Sequence, residues 1–315
     1  MLSTALNLIF WVSFRIEKGF VKKELKRDFL FYTAFMITAA LAGNVIPMLS
    51  KFFVAGEVSF HLAGVFTIAT NIAAVVEMPY RSLGAISRPQ ISEAMAKQDV
   101  KQADSLCKNV ALHQYMAGAF VFFVIWTNID LLFGILPNGE VYSVGKWAVL
   151  LLCIGRLIYS TLAVTGTVLS YSKYYYYSLI FTILLTVMSF FMNRCFVPKW
   201  DINGGALAYT LSYIVYFVML LAFIKWKIGV SPLTKKMFTV SAVILVLFGL
   251  NWLWMLCLTP WFAGMFAKPI YGLLIDGAIK TVAFLVIGMT TVYKLRISMS
   301  VNDLIDKAMK WMRLK

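Results

Sequence analysis

Long apolar runs separated by short polar segments dominate the sequence. Because about 20 apolar residues in a helix cross the hydrocarbon core of a bilayer, each sufficiently long run predicts one span. Backbone groups in lipid must be satisfied within their own segment, which requires helices. The pattern therefore predicts an all-α, polytopic transmembrane helical bundle with eight full spans at 29–54, 60–86, 110–136, 146–170, 174–196, 204–226, 237–258 and 270–293.

The two ends of the chain differ from this eight-helix membrane domain, which covers 29–293. Residues 1–14 are apolar but too short to cross a bilayer, so they predict a partial transmembrane helix, the end of a span that begins upstream. Residues 15–28 are rich in both basic and acidic side chains and predict a cytoplasmic linker. Residues 294–315 predict a cytoplasmic, basic amphipathic tail that lies on the inner leaflet.

Composition and charge support a membrane protein. Of the 315 residues, 61% are hydrophobic and 14% are charged, whereas a soluble domain is about a quarter charged. The net charge of +15 does not predict a nucleic-acid partner, because the basic residues lie in short loops. If the spans alternate in direction, 21 of the 29 lysines and arginines fall on one side. That bias predicts a cytoplasmic C-terminus.

The sequence contains no motif of a catalytic or cofactor site. It has no phosphate-binding GxxxxGK[ST] loop, no HExxH, no nucleophile elbow and no CxxC pair. Its four cysteines lie far apart and predict neither a metal site nor a redox pair. We therefore expect no enzyme activity, no cofactor and no metal. Transport would depend on an ion gradient, on the gradient of the cargo or on a partner.

Ionisable residues inside the spans are the first candidates for function, because a charge in lipid is costly and faces a bundle interior or a watery cavity. Glu77 and Arg81 lie one helical turn apart, and Pro79 between them predicts a kink. Asn71 lies on a neighbouring stripe. Two interpretations stay open: a cavity wall on which Arg81 meets an anionic phosphate, or a structural pair whose arginine extends towards the membrane surface.

Arg156 lies too deep in its span to reach the membrane surface easily, and Ser160 and Thr167 follow on the same face. A buried arginine beside a stripe of hydroxyls favours an aqueous path, although small residues also permit close helix packing. The predicted substrate-binding residues are therefore Asn71, Glu77, Arg81, Arg156, Ser160 and Thr167. A second pair one turn apart, Asp276 and Lys280, is expected to be structural.

Two segments resemble a known family. The segment RSLGAISRPQISEAMAKQD at 81–99 and the small-residue run GGALAY at 204–209 are similar to the multidrug/oligosaccharidyl-lipid/polysaccharide (MOP) flippase superfamily, with the polysaccharide (O-antigen and capsule) exporters as the nearest branch. Members of that superfamily have fourteen helices in two lobes and a final pair. The resemblance implies that this chain is the C-terminal portion and lacks the first lobe.

The resemblance also implies a function. Cationic cavity residues, here Arg81 and Arg156, would bind the pyrophosphate of an undecaprenyl-linked oligosaccharide. The chain would flip this lipid across the bacterial cytoplasmic membrane during surface polysaccharide and lipopolysaccharide synthesis. Its partners would be that lipid, the bilayer and a second protein that supplies the missing lobe, without which we expect no flipping. The alternatives are a drug or metabolite antiporter of the same superfamily and an inactive truncated remnant. A glycan polymerase is disfavoured, because the predicted outer loops are short.

Overall fold

The computed structural model describes residues 23–264, 269–298, 301–303, 306–307 and 310. These residues form helices joined by short turns, and this part of the chain contains no strand. The predicted all-α, polytopic fold is confirmed. The predicted partial span at 1–14, most of the linker at 15–28 and much of the tail at 294–315 lie outside the described residues.

Eleven α-helices and one 3₁₀ turn, at Val75–Glu77, make up the described bundle. The helices are α1 Lys23–Glu57, α2 Phe60–Ala74, α3 Met78–Ala96, α4 Val100–Thr127, α5 Ile129–Ile135, α6 Gly139–Ser143, α7 Lys146–Ser170, α8 Tyr177–Lys227, α9 Lys235–Cys257, α10 Thr259–Gly264 and α11 Pro269–Lys294.

Six helical segments of the described chain are long and apolar enough to cross a bilayer: Phe60–Ala96, Val100–Thr127, Lys146–Ser170, Tyr177–Lys227, Lys235–Cys257 and Tyr271–Lys294. They overlap with seven of the eight predicted spans, because Tyr177–Lys227 covers two, and the remaining prediction, 29–54, is helical within α1. Large apolar side chains at a seven-residue spacing on α9, Phe238, Leu245 and Trp252, are exposed and suit contact with lipid. Together these features indicate a multi-pass membrane protein.

The third predicted span, 110–136, is displaced from the helix that the chain forms. That helix, α4, begins at Val100, because the Asp99 carboxylate accepts a hydrogen bond of 2.9 Å from the backbone N–H of Gln102 and caps the helix. It ends at Thr127, and a separate short helix starts at Ile129. The polar first two turns of α4 therefore extend beyond the apolar stretch.

Helix α8 is a hairpin rather than one rod. Trp200 and Asp201 have non-helical backbone angles, and Asp201 has φ 47°. The two arms, 177–199 and 202–227, are antiparallel. The ring centres of Phe181 on the first arm and Phe223 on the second lie 5.2 Å apart, which shows that the arms pack side by side. Gly204 lies so close to the backbone carbonyl of Phe196 that a Cβ would overlap with it. The glycine run at 204–205 therefore allows the close turn.

Helix α7 occupies the centre of the bundle. It packs against α2, α3 and α4 and against the hairpin α8, while α1 packs mainly on α8. The second arm of α8 runs in the same direction as α7. The Thr210 hydroxyl donates to the Leu151 carbonyl at 2.6 Å. Tyr213, one turn after Thr210, contacts Tyr159, which lies two turns after Leu151. Helices α9 and α11 pack on the far side of α4.

Loops that the alternation of spans places on the same side of the membrane lie at the same end of the bundle. At one face, Glu57 pairs with Arg194 and Asp130 pairs with Lys146, each at 2.6 Å. At the other face, which carries most of the loop lysines and is called the basic face below, the Asp104 carboxylate accepts a hydrogen bond from the backbone N–H of Ser231 at 2.9 Å. Residues predicted on the same side of the membrane therefore meet in the fold.

Helix α8 ends at the basic face in a glycine turn. The backbone N–H of Gly229 donates to the Ile224 carbonyl at 3.0 Å, and Gly229 has φ 85°. A Cβ there would find space, with Val100 Cγ1 at 3.8 Å. We therefore expect Gly229→Ala to lower the free energy of unfolding by about 1 kcal/mol through backbone conformation alone.

Thermal unfolding of the purified protein in detergent measures this effect. Gly64→Ala is the matched control, because Gly64 lies within helix α2 and a Cβ there would touch nothing. An unchanged midpoint for the Gly229→Ala protein would contradict the expectation.

Candidate functional site

A break between α2 and α3 places the first functional side chain. Pro79 has no N–H, so it cannot donate to the carbonyl of Val75 as a continuous helix would require. The Val75 carbonyl instead accepts from the N–H of Met78 within the 3₁₀ turn. The helix is therefore interrupted beside Pro79, where the sequence predicted a kink. The interruption leaves Glu77 buried at the end of the turn, facing α7.

Glu77 lies between two arginines and forms an ion cluster with them. Its Oε1 accepts from Arg156 Nη1 at 2.6 Å, and its Oε2 lies 3.8 Å from Arg81 Nη2. The side chains of Glu77 and Arg156 are 4% and 11% exposed, whereas that of Arg81 is 72% exposed. Glu77 and Arg81 do pair as predicted, but the shorter bond joins Glu77 to Arg156 on a different helix.

The surroundings of Arg156 add positive rather than negative charge. Its guanidinium carbon lies 5.3 Å from the centre of the Tyr209 ring, a favourable cation–π contact. Lys51 on α1 interacts electrostatically with Arg156 and forms no ion pair within the described chain. Arg81 and Arg156 therefore share the single carboxylate of Glu77, and Lys51 adds a further positive charge beside Arg156.

A row of tyrosines, called the tyrosine row below, leads from the ion cluster towards the basic face. Tyr209 contacts Tyr213 at 4.7 Å between ring centres, and Tyr213 contacts both Tyr159 at 5.3 Å and Tyr216 at 6.4 Å. Tyr159 in turn contacts Tyr80 at 6.1 Å. The close approach of α7 and α8 that starts the row depends on Gly155, whose missing Cβ would lie 2.9 Å from the Tyr209 ring.

The tyrosine row ends at a cavity of about 440 Å³, called the hydroxyl cavity below, which lies between α1, α3, α7 and α8. Arg88 lines this cavity, and its Nη2 donates to the Tyr80 hydroxyl at 2.8 Å. Most of the remaining polar lining consists of hydroxyl groups, contributed by Tyr32, Tyr159, Thr167, Ser170, Tyr171, Ser178, Thr182 and Tyr216. The cavity combines one arginine with many hydroxyls and aromatic faces.

The predicted substrate-binding residues are separated by the fold into four settings. Glu77, Arg81 and Arg156 form the ion cluster, and Thr167 lines the hydroxyl cavity. Ser160 is buried, and its hydroxyl donates to the Leu157 carbonyl at 2.9 Å. Asn71 on α2 is exposed. The six residues therefore do not surround one common space.

Sequence reasoning did not select Arg88, Lys51 or the tyrosines. Arg88 lies where the apolar part of its helix changes to a polar part, which suggested a solvated side chain, whereas α3 carries Arg88 into the cavity wall. The spacing of Tyr209, Tyr213 and Tyr216 by four and three residues is a signal that could have indicated one shared helix face.

Asp276 and Lys280 form a second buried pair, away from these residues. Asp276 Oδ2 lies 3.4 Å from Lys280 Nζ, while the Trp254 indole and the Thr259 hydroxyl also donate to the Asp276 carboxylate. These bonds join α9, α10 and α11, in agreement with the expected structural role. Within the described residues, no three or more His, Cys, Asp and Glu side chains gather as metal ligands would.

No family model matches the chain, and no curated protein matches it. One similar solved structure is a multidrug resistance MATE family transporter of the MOP superfamily in an outward-facing conformation. It is 17% identical, with a TM-score of 0.47 over 86% of this chain and 70% of that chain.

A second similar structure is a MOP superfamily transporter from Pyrococcus furiosus, described as having a binding pocket of reversed polarity. It is 17% identical, with a TM-score of 0.45 over 82% of this chain and 62% of that chain. Likenesses of this size assign neither a family nor a cargo to the chain, and the polysaccharide exporter branch stays a prediction.

Proposed function

We propose that the chain is part of a membrane transporter that flips an anionic amphiphile, a lipid-linked oligosaccharide, between the leaflets. The observation that carries this proposal is the excess of cations at the ion cluster, where Arg81 and Arg156 share one carboxylate and Lys51 interacts with Arg156. A charge in the membrane interior is costly unless it is paired or hydrated. An excess of positive charge therefore favours a negatively charged cargo.

The three arginines would have different roles in binding. Arg156 is paired with Glu77, so its main contribution would be to the positive potential of the ion cluster. Arg81 is largely exposed and Arg88 lines the hydroxyl cavity, so their guanidinium groups can reach a ligand. Guanidinium groups match the geometry of phosphate oxygens. The tyrosine faces and hydroxyls of the cavity suit sugar rings, which have both apolar faces and hydroxyl groups.

The cargo's path would follow the face of α2 and α3 on which the polar side chains of Asn71, Arg81 and Ser82 are exposed beside Met78. Such a face is ill suited to lipid, because polar groups there would lack hydrogen-bond partners. We propose that it forms one wall of the path and that another polypeptide supplies the opposite wall. The second polypeptide can be tested by affinity purification of the native gene product from membranes through a tag at Lys315. The masses of the polypeptides that are recovered are then measured.

Binding of the cargo lipid tests the proposed function. The probe is undecaprenyl pyrophosphate, with undecaprenol as the uncharged comparison, and the measurement is the shift in unfolding temperature of the purified protein. We expect the pyrophosphate to stabilise the protein more than undecaprenol. Arg81→Gln/Arg88→Gln should weaken pyrophosphate binding about tenfold or more, because charged hydrogen bonds to two arginines are lost.

The matched control is Lys101→Gln/Lys235→Gln. It removes two charges from exposed lysines that line neither the ion cluster nor the hydroxyl cavity. The control should bind as the wild type does. Equal stabilisation by pyrophosphate and undecaprenol would contradict an anionic cargo. Stronger stabilisation by a hydrophobic cation, such as tetraphenylphosphonium, would instead favour the drug antiporter.

A further inference from the structure

A second cavity, of about 400 Å³, lies at the basic face. Three segments form it: the turn between α3 and α4, the loop between α7 and α8, and the end of the hairpin arm at Lys227. Of its lining residues, Tyr171 also lines the hydroxyl cavity. We call it the interfacial pocket.

The interfacial pocket is positively charged. Lys173 and Lys227 line it, and no carboxylate is among its lining residues. Neither lysine forms an ion pair with another described residue. Each ammonium group instead lies over an aromatic ring, with Lys173 Nζ 5.3 Å from the centre of Tyr174 and Lys227 Nζ 3.8 Å from that of Trp226. Both lysines are exposed and can bind an anion.

Aromatic side chains place the interfacial pocket at the depth of the lipid headgroups. Trp226, next to Lys227, is 76% exposed, and Tyr171 and Tyr176 are also exposed. Exposed tryptophan and tyrosine mark the boundary between headgroups and hydrocarbon. Ile180 and Leu184 follow Tyr176 along the first arm of α8 and are exposed as well. Exposed apolar side chains therefore follow the α7–α8 loop along the first arm of α8.

We infer that the interfacial pocket binds the headgroup of an anionic phospholipid of the surrounding bilayer. The phosphodiester would lie between Lys173 and Lys227, and the side chain of Gln98, which also lines the pocket, could donate to the headgroup. The acyl chains would lie along Ile180 and Leu184. Such a lipid would hold together the α3–α4 turn, the α7–α8 loop and the end of α8, and it is independent of the transported cargo.

Competition between two lipids tests this inference. The full chain is purified in micelles that contain equimolar phosphatidylglycerol and phosphatidylcholine, and the lipids that stay bound are counted by native mass spectrometry. We expect the wild type to retain phosphatidylglycerol preferentially. Lys173→Gln/Lys227→Gln should lower the retained phosphatidylglycerol about tenfold, because both cations of the pocket are lost.

The matched control is Lys225→Gln/Lys236→Gln, which removes two exposed lysines of the same face that do not line the pocket. It should retain phosphatidylglycerol nearly as the wild type does, and Lys173→Arg/Lys227→Arg should restore retention. Equal loss in the glutamine pair and the control would show diffuse attraction and overturn the inference. Loss in the arginine pair, or displacement of the lipid by inorganic phosphate alone, would overturn it too.

Discussion

Replacing Glu77 by glutamine is expected to lower the free energy of unfolding by about 3–5 kcal/mol, the range observed when one partner of a buried ion pair is removed. The change keeps the size of the side chain but leaves Arg81 and Arg156 without their carboxylate. Most of the loss arises at Arg156, because its side chain is nearly buried and its Nε already has no hydrogen-bond partner among the described residues. Thermal or denaturant unfolding in detergent measures the loss.

The two arginines provide graded controls for this experiment. Arg156→Gln should cost less than Glu77→Gln, because Arg81 still lies near the carboxylate. Arg81→Gln should cost less than about 1 kcal/mol, because an exposed partner contributes little. The double variant Glu77→Gln/Arg156→Gln should recover part of the loss, since it leaves no buried charge unpaired. Equal effects of the three single changes would contradict the described geometry.

Replacing Gly204 by alanine is expected to destabilise the hairpin α8 by about 3 kcal/mol, the upper part of the usual range for overpacking. The added Cβ would overlap with the backbone carbonyl of Phe196 on the other arm, and a backbone cannot rotate away as a flexible side chain can. The turn at Asp201 already has a positive φ of 47° and leaves little freedom for adjustment. The unfolding midpoint of the purified protein reports the effect.

Gly249→Ala is the matched control for the hairpin. Gly249 lies within helix α9, where a Cβ would contact nothing, so alanine should be neutral or stabilise the helix by up to about 1 kcal/mol. A Gly204→Ala protein as stable as the Gly249→Ala protein would show that the two arms are further apart than described.

The hydrophobic pattern alone determined the class of fold. Apolar runs of membrane length can be satisfied only as helices in lipid, so the spans at 146–170 and 237–258 could be placed within a residue or two. Pro79 likewise predicted the break beside Glu77, because the missing N–H is a local property of the chain. The polar helix that continues beyond the apolar span at 60–86 was also predicted, and α3 indeed runs to Ala96, whereas the polar start of α4 at Val100 lies outside the apolar run that placed its span.

The tertiary structure decided which charges meet. The sequence places Glu77 beside Arg81, since residues four apart share a helix face, but the stronger partner, Arg156, is 79 positions away in the chain. The packing of helices also decides two close approaches. The two arms of α8 meet at Gly204, and Gly155 of α7 lies against Tyr209. Such contacts between distant segments are not encoded in any local pattern, and they determine which of the predicted residues form the ion cluster and which line the hydroxyl cavity.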